Sequence, residues 1–268
     1  MISISALYIY PVKSLAGIKL EKAELSEFGL LNDRRWLIVD DKGLFMSQRT
    51  TPKMATIKTS LKDGNLLLSH QDKEIKVPKA TSKNKFMQVT VWNDSLNVQI
   101  LSGEVDNWLS EILDQRCHLV YMPESAERQI DKDFAQDKQY VSFADGFPLL
   151  LISQASIDDL NQKLETPVNI NRFRPNIVVD GIDAFAEDSW KDFSINQIDY
   201  HMAKPCSRCI MPSINQANGI QDNVKLLSVL NKYRKFDKKI KFGVNILYKD
   251  SSKVNNQYIT VGDAINLK

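Results

Sequence analysis

Cysteine and histidine are scarce, with three of each in 268 residues. Cys117, Cys206 and Cys209 are too few and odd in number for a disulfide framework. That excludes a disulfide-stapled secreted domain and favours a reducing compartment. Long apolar runs are also missing. FPLLLI, at 147–152, falls far below the roughly 18 residues that span a bilayer. The opening MISISALYIYPVKS lacks a basic segment followed by an apolar core, so no signal peptide is expected. Charge of one sign is absent too. The 35 Lys and Arg against 33 Asp and Glu leave +2, which argues against nucleic-acid binding by bulk charge. These absences lead to the expectation of a soluble, cytoplasmic protein that binds neither nucleic acid nor membrane.

What is present is an ordinary globular composition, 43% hydrophobic and 25% charged, which excludes disordered and collagen-like chains. At roughly 100–200 residues per domain, the length suits one large domain or two modest ones. The first hundred residues read as β-structure. Ile2, Ile4, Ala6, Tyr8 and Tyr10 alternate with a second face until Pro11 ends the run. WLIVDDKGLFM (36–46) reads as a hairpin, as do the segments around Asp63-Gly64 and around Asn93-Asp94-Ser95. Short strands with frequent turns suggest a small barrel or sandwich.

Val105, Trp108, Leu109 and Ile112 have helical spacing. Residues 115–137 are polar and charged, the best linker or loop candidate. FPLLLIS then reads as a buried strand, followed by a helix whose Ser156 and Asp159 resemble a capping box. Residues 176–179, 242–248 and 258–261 read as strands, and 222–233 as a helix carrying Leu226, Leu230 and Tyr233 on one side. The fold expected is β-rich α+β in two parts joined near 115–140.

KPCSRCIMP (204–212) is the most informative segment. A structural zinc site would need four ligands, and besides the Cys206–Cys209 pair only Cys117 and scattered His70, His118 and His201 are available. A redox dithiol would need a helix N-terminus, which Pro205 and Pro212 disfavour. Two buried thiols acting as small hydrophobes are the plainest alternative. The functional alternative is one thiolate bound to a soft metal, with Arg208 favouring the thiolate and a cofactor supplying the other ligands. Lys13-Ser14, Arg34-Arg35, and Arg172 with Arg174 lie beside strands and suit a phosphate-bearing anion. Each alone also fits a solvated surface charge.

Several segments together resemble a known family. They are IYPVKSLAG (9–17), GLLNDRRWLIVD (29–40), FADGFPLLLISQASIDDLN (143–161), RFRPNIVVDG (172–181), AFAEDSW (184–190), PCSRC (205–209) and VGDAINL (261–267). In this order they resemble two-part MOSC proteins, above all the mitochondrial amidoxime-reducing component and its bacterial counterparts. The resemblance implies an N-terminal MOSC-associated β-barrel-like domain over 1–120, packed on a MOSC β-barrel domain over 121–268 with a few helices. It implies a molybdenum cofactor of the molybdopterin type, with Cys209 as the metal ligand and catalytic anchor. Cys206 would be a neighbour that does not bind the metal. Cofactor contacts map to Lys13, Ser14, Arg34, Asp145, Gly146, Arg174, Asn176, Ser207 and Arg208, whereas Asp188 and Trp190 would hold the scaffold. A pyridoxal phosphate association also travels with the family. The implied activity is reduction of N-hydroxylated compounds (amidoximes, hydroxylamines, N-hydroxylated bases) by oxygen-atom abstraction at molybdenum. Electrons would come from a separate flavin, haem or iron-sulfur protein. A cofactor or sulfur carrier without turnover is the alternative.

Overall fold

A computed structural model describes residues 1–222 and 225–268. Its largest sheet runs in the order Ile265–Leu267, Asp192–Ile195, Ile198–Ser207, Lys239–Tyr248, Leu149–Ser153, Ile177–Asp180, Ser3–Ile9 and Ile18–Leu20. Short Lys235–Phe236 pairs beside Lys239–Tyr248. Neighbours are antiparallel except Leu149–Ser153 beside Ile177–Asp180, the pair joined by a helical crossover. The N-terminal strand thus lies among strands from the far end of the chain. Alternation is why it fits there: Ile4, Leu7 and Ile9 enter one core with Leu151, Ile177, Phe193, Tyr200 and Ile246.

A four-stranded sheet orders Trp36–Val39, His118–Tyr121, Asp94–Ile100 and Phe86–Val91. A three-stranded meander, Lys58–Lys62, Asn65–His70 and Lys73–Lys76, packs with the helix Gly103–Leu113 around Met54, Ile57, Leu66 and Leu109. Tyr258–Thr260, Lys22–Ser26 and Gly29–Leu30 form the remaining sheet. The helices Gln154–Gln162 and Leu226–Tyr233 cover a core of Leu150, Ile152, Phe173 and Phe242. The helix expected over 222–233 is therefore found from Leu226 onward, and its positions 223–224 lie outside the described residues.

The structure corrects several local expectations. Residues 115–137 are no linker: His118–Tyr121 is a central strand paired on both sides. Four residues are too few for periodicity to reveal, and charged neighbours mask them. The helix after FPLLLIS is capped by Ser153, whose Oγ accepts from Ser156 N, and not by Ser156. Ser156 is buried and donates to Glu187 instead. The 36–46 hairpin has a rudimentary second arm, with one bridge from Phe45 to Val39 and another from Leu44 to Thr90. Gly43 allows that approach, since a Cβ there would sit 2.5 Å from the Gln88 carbonyl oxygen. The hairpin near 93–95 turns one residue earlier, at Trp92-Asn93, with Trp92 left-handed at φ 58°.

Candidate active site

One open cleft of about 840 Å³ gathers all ten residues singled out from the sequence: Lys13, Ser14, Arg34, Asp145, Gly146, Arg174, Asn176, Ser207, Arg208 and Cys209. They come from strand ends and the loops beyond them, where side chains project from a rigid frame. Lys13 and Ser14 follow Ser3–Ile9, Arg174 and Asn176 precede Ile177–Asp180, and Ser207 ends Ile198–Ser207. Arg49, Phe147, Arg172, Cys206, Met211 and Asn245 complete much of the lining. Arg172 stands out in the sequence because it brackets Phe173 with Arg174. Arg49 carries no sequence signal, because only the tertiary fold brings its loop to the cleft.

The backbone is strained where the cleft is built. Ser14, Arg34 and Arg174 have φ of 69°, 53° and 55°, in the left-handed region that non-glycine residues seldom occupy. Each is pinned. Gln48 donates from its amide to the Ser14 carbonyl at 2.8 Å. Arg34 N–H donates to the Tyr10 carbonyl at 2.9 Å, and Arg174 N–H to the Asn171 carbonyl at 3.1 Å. Asn176 is fully engaged: its Oδ1 accepts from Arg34 and from Leu150 N, while its Nδ2 donates to the Tyr8 carbonyl. Arg35, next to Arg34, turns away from the cleft. It donates to the Met122 carbonyl and to Glu124.

The cations divide into paired and unpaired. Lys13 Nζ lies 2.5 Å from Asp145 Oδ1 and donates to the Phe143 carbonyl at 2.7 Å. Burial pushes the Lys13 ammonium down to about 8 in spite of Asp145. Desolvation works against the Asp145 charge, but the Lys13 ammonium holds its carboxyl well below the usual range. Arg34 pairs with fully buried Asp33 at 2.5 Å, and that carboxylate also accepts from Tyr10 N. Burial disfavours the Arg34 charge, and Asp33 more than offsets this, so its pKa is raised. Arg172 pairs with Asp222 at 2.5 Å. Arg174 and Arg208 have no acidic partner within salt-bridge distance among the described residues. Arg174 Nη1 donates to the Leu15 carbonyl, and Arg208 donates to the Phe242 and Phe173 carbonyls. Burial pushes the Arg174 guanidinium down to about 10, still charged at neutral pH.

The two Cys-x-x-Cys members are not equivalent. Cys209 is exposed at the cleft, whereas Cys206 is half-buried against the cluster of Phe173 and Phe242. Cys206 lies in a strand, not at a helix N-terminus. Among the described residues no three His, Cys, Asp or Glu side chains gather into a metal cage. Cys117 is buried beside Ser110, where burial pushes its thiol up to about 11, and His201 is engaged by Asp192. A metal at Cys209 would need ligands from elsewhere.

The cleft fits a phosphate-bearing cofactor that brings such ligands. Arg174 Nη2 and Arg208 Nη2 are buried with no hydrogen-bond partner among the described residues. Leaving a buried donor unsatisfied costs about 1–3 kcal/mol, so two on one cleft are what an anion would relieve. A Cβ at Gly146 would meet nothing within 4 Å, so space above that peptide is free.

Fold and site together describe a two-part MOSC protein. Residues 1–116 match the MOSC N-terminal beta barrel domain and residues 138–266 the MOSC domain. Mitochondrial amidoxime-reducing component 1 of Mus musculus is 32% identical over 246 residues, covering 88% of this chain and 72% of that protein. Its Homo sapiens counterpart is 31% identical over 245 residues, covering 88% and 73%. Molybdenum cofactor sulfurase of Bos taurus is 30% identical over 98% of this chain, which spans 32% of that longer protein. The chain belongs to the MOSC family that includes the mitochondrial amidoxime-reducing components. No helix among the described residues is long and apolar enough to cross a membrane.

Proposed function

We propose that the protein is a molybdenum-cofactor-dependent reductase of N-hydroxylated compounds, supplied with electrons by a separate redox protein. One observation carries this reading: an accessible thiol, Cys209, shares a cleft with two buried guanidinium groups whose outer nitrogens lack partners. When bound, a molybdopterin cofactor supplies a two-electron metal centre that removes oxygen from an N–O bond. Cys209 is the thiolate that would hold the metal. Arg174 and Arg208 offer charge-assisted donors to the phosphate, and Lys13 adds a third cation whose position Asp145 fixes. Arg34, locked by Asp33 and Asn176, keeps the wall between them in shape. The left-handed backbone at Ser14, Arg34 and Arg174 is the cost of aiming these groups inward.

Protein made in a host that synthesises the cofactor should contain about one molybdenum per chain and reduce benzamidoxime with a reduced dye as donor. Cys209→Ala should lose the metal or the activity, and Cys206→Ala should do so far less. Equal loss in both would sink the single-thiolate assignment. The likeness to the sulfurase supports a second reading, a carrier of cofactor or sulfur. Full molybdenum loading without any amidoxime reduction would favour it.

A further inference from the structure

Arg49 is a cation of the cleft that the proposed cofactor contacts do not use. It rises from the loop before Pro52, on the wall opposite Arg174 and Arg208. Its guanidinium lies 4.4 Å from the centre of the Trp92 ring. Among the described residues it makes no hydrogen bond and no ion pair. A guanidinium stacked on an aromatic face keeps its in-plane N–H groups free, in the fork that matches a carboxylate.

The bracket under it is built firmly. Trp92 sits left-handed in the tight turn between Phe86–Val91 and Asp94–Ile100. Its indole N–H donates to Asp145 Oδ1 at 3.2 Å, and Phe45 packs on its ring at 5.0 Å between centroids. Asp145 is already engaged by Lys13 and by this indole, so it does not occupy the fork.

We infer that Arg49, held flat on Trp92, selects substrates carrying a carboxylate at a distance from the N–O group. This rests on the reductase reading above and deepens it by naming the substrate class. Arg49 acts on recognition: its loss changes KM for anionic substrates more than kcat.

The test compares 4-carboxybenzamidoxime with neutral benzamidoxime on cofactor-loaded protein. Binding of the products, 4-amidinobenzoate and benzamidine, is measured in parallel by calorimetry, which needs no turnover. The wild type should prefer the carboxylate member about tenfold in both assays, the scale of one charge-assisted bidentate contact. Arg49→Gln should erase the preference, Arg49→Lys should keep part of it, and Trp92→Phe should keep most of it. Equal handling of the two members by the wild type, or a preference that survives Arg49→Gln, would overturn the inference while leaving the reductase reading intact. Loss of molybdenum from Arg49→Gln would also overturn it, by assigning Arg49 to the cofactor. Loaded protein that reduces neither substrate, yet binds 4-amidinobenzoate through Arg49, would overturn the reductase reading and keep the anion site.

Discussion

The two walls of the cleft treat their positive charges differently. On one, Lys13 and Arg34 are buried and each touches a carboxylate, Asp145 and Asp33. On the other, Arg174 and Arg208 rest on carbonyls and aromatic rings and leave a buried nitrogen unpaired apiece. A buried cation beside its anion is part of the scaffold, because removing either partner strands the other. A buried cation without one is held in readiness at a cost to the empty protein. The paired wall should therefore report on folding and the unpaired wall on ligand.

The strongest way to break this contrast is at Asp33, fully buried between Tyr10 N and Arg34. Asp33→Ala should destabilise the cofactor-free protein by about 3–5 kcal/mol, seen as a lower midpoint in urea unfolding. A change below ~1 kcal/mol would mean that the pair does not hold this wall. Arg174→Gln should do the reverse. Cofactor affinity should fall by about 1.5–3 kcal/mol, while the stability of the empty protein holds or rises. Metal content and thermal unfolding on one preparation separate the two.

Acidity sharpens the same comparison. The folded pKa of Lys13 lies near 8, below its ordinary 10.5. Between those values the unfolded chain binds more protons than the native one, so this group makes the empty protein more stable as pH rises. The same deprotonation removes a cation from the cleft. Inorganic pyrophosphate should therefore bind the empty protein several-fold more weakly at pH 9 than at pH 7, and Lys13→Met should flatten the profile. Arg174 stays charged across this range, so Arg174→Gln should weaken binding without removing the pH dependence. The smallest effect is expected away from both walls. Ser153→Ala removes the N-cap of Gln154–Gln162 and should cost about 1 kcal/mol in unfolding with no effect on bound metal.

Much of the site was legible in the residues because its parts are local motifs. Lys13-Ser14, the Arg172–Arg174 bracket and the Cys-x-x-Cys segment are each contiguous, and a run such as RFRPNIV carries its strand and its cations together. Arg34 was legible as one of a pair, but only packing separated it from Arg35, which the Met122 carbonyl and Glu124 draw away. His118–Tyr121 stayed hidden because a four-residue buried strand has no period to detect. Arg128 was masked in the same segment. It is buried and donates to the carbonyls of Ser142, Ala144 and Asp145, tying the presumed linker to the cleft loop.

By itself the sequence determined the β-rich composition, the order of most strands, the asymmetric supply of cations, and one Cys-x-x-Cys segment lacking partners for a protein-only metal cage. These follow from side-chain chemistry and short-range periodicity, which a linear chain displays directly. Only the tertiary structure decided that Cys209 faces open space while Cys206 packs against aromatics, which guanidinium groups find a carboxylate, and that Arg49 meets Trp92 across the cleft. Those outcomes depend on contacts between residues distant in the chain, fixed by how sheets and loops pack, and no local pattern records them.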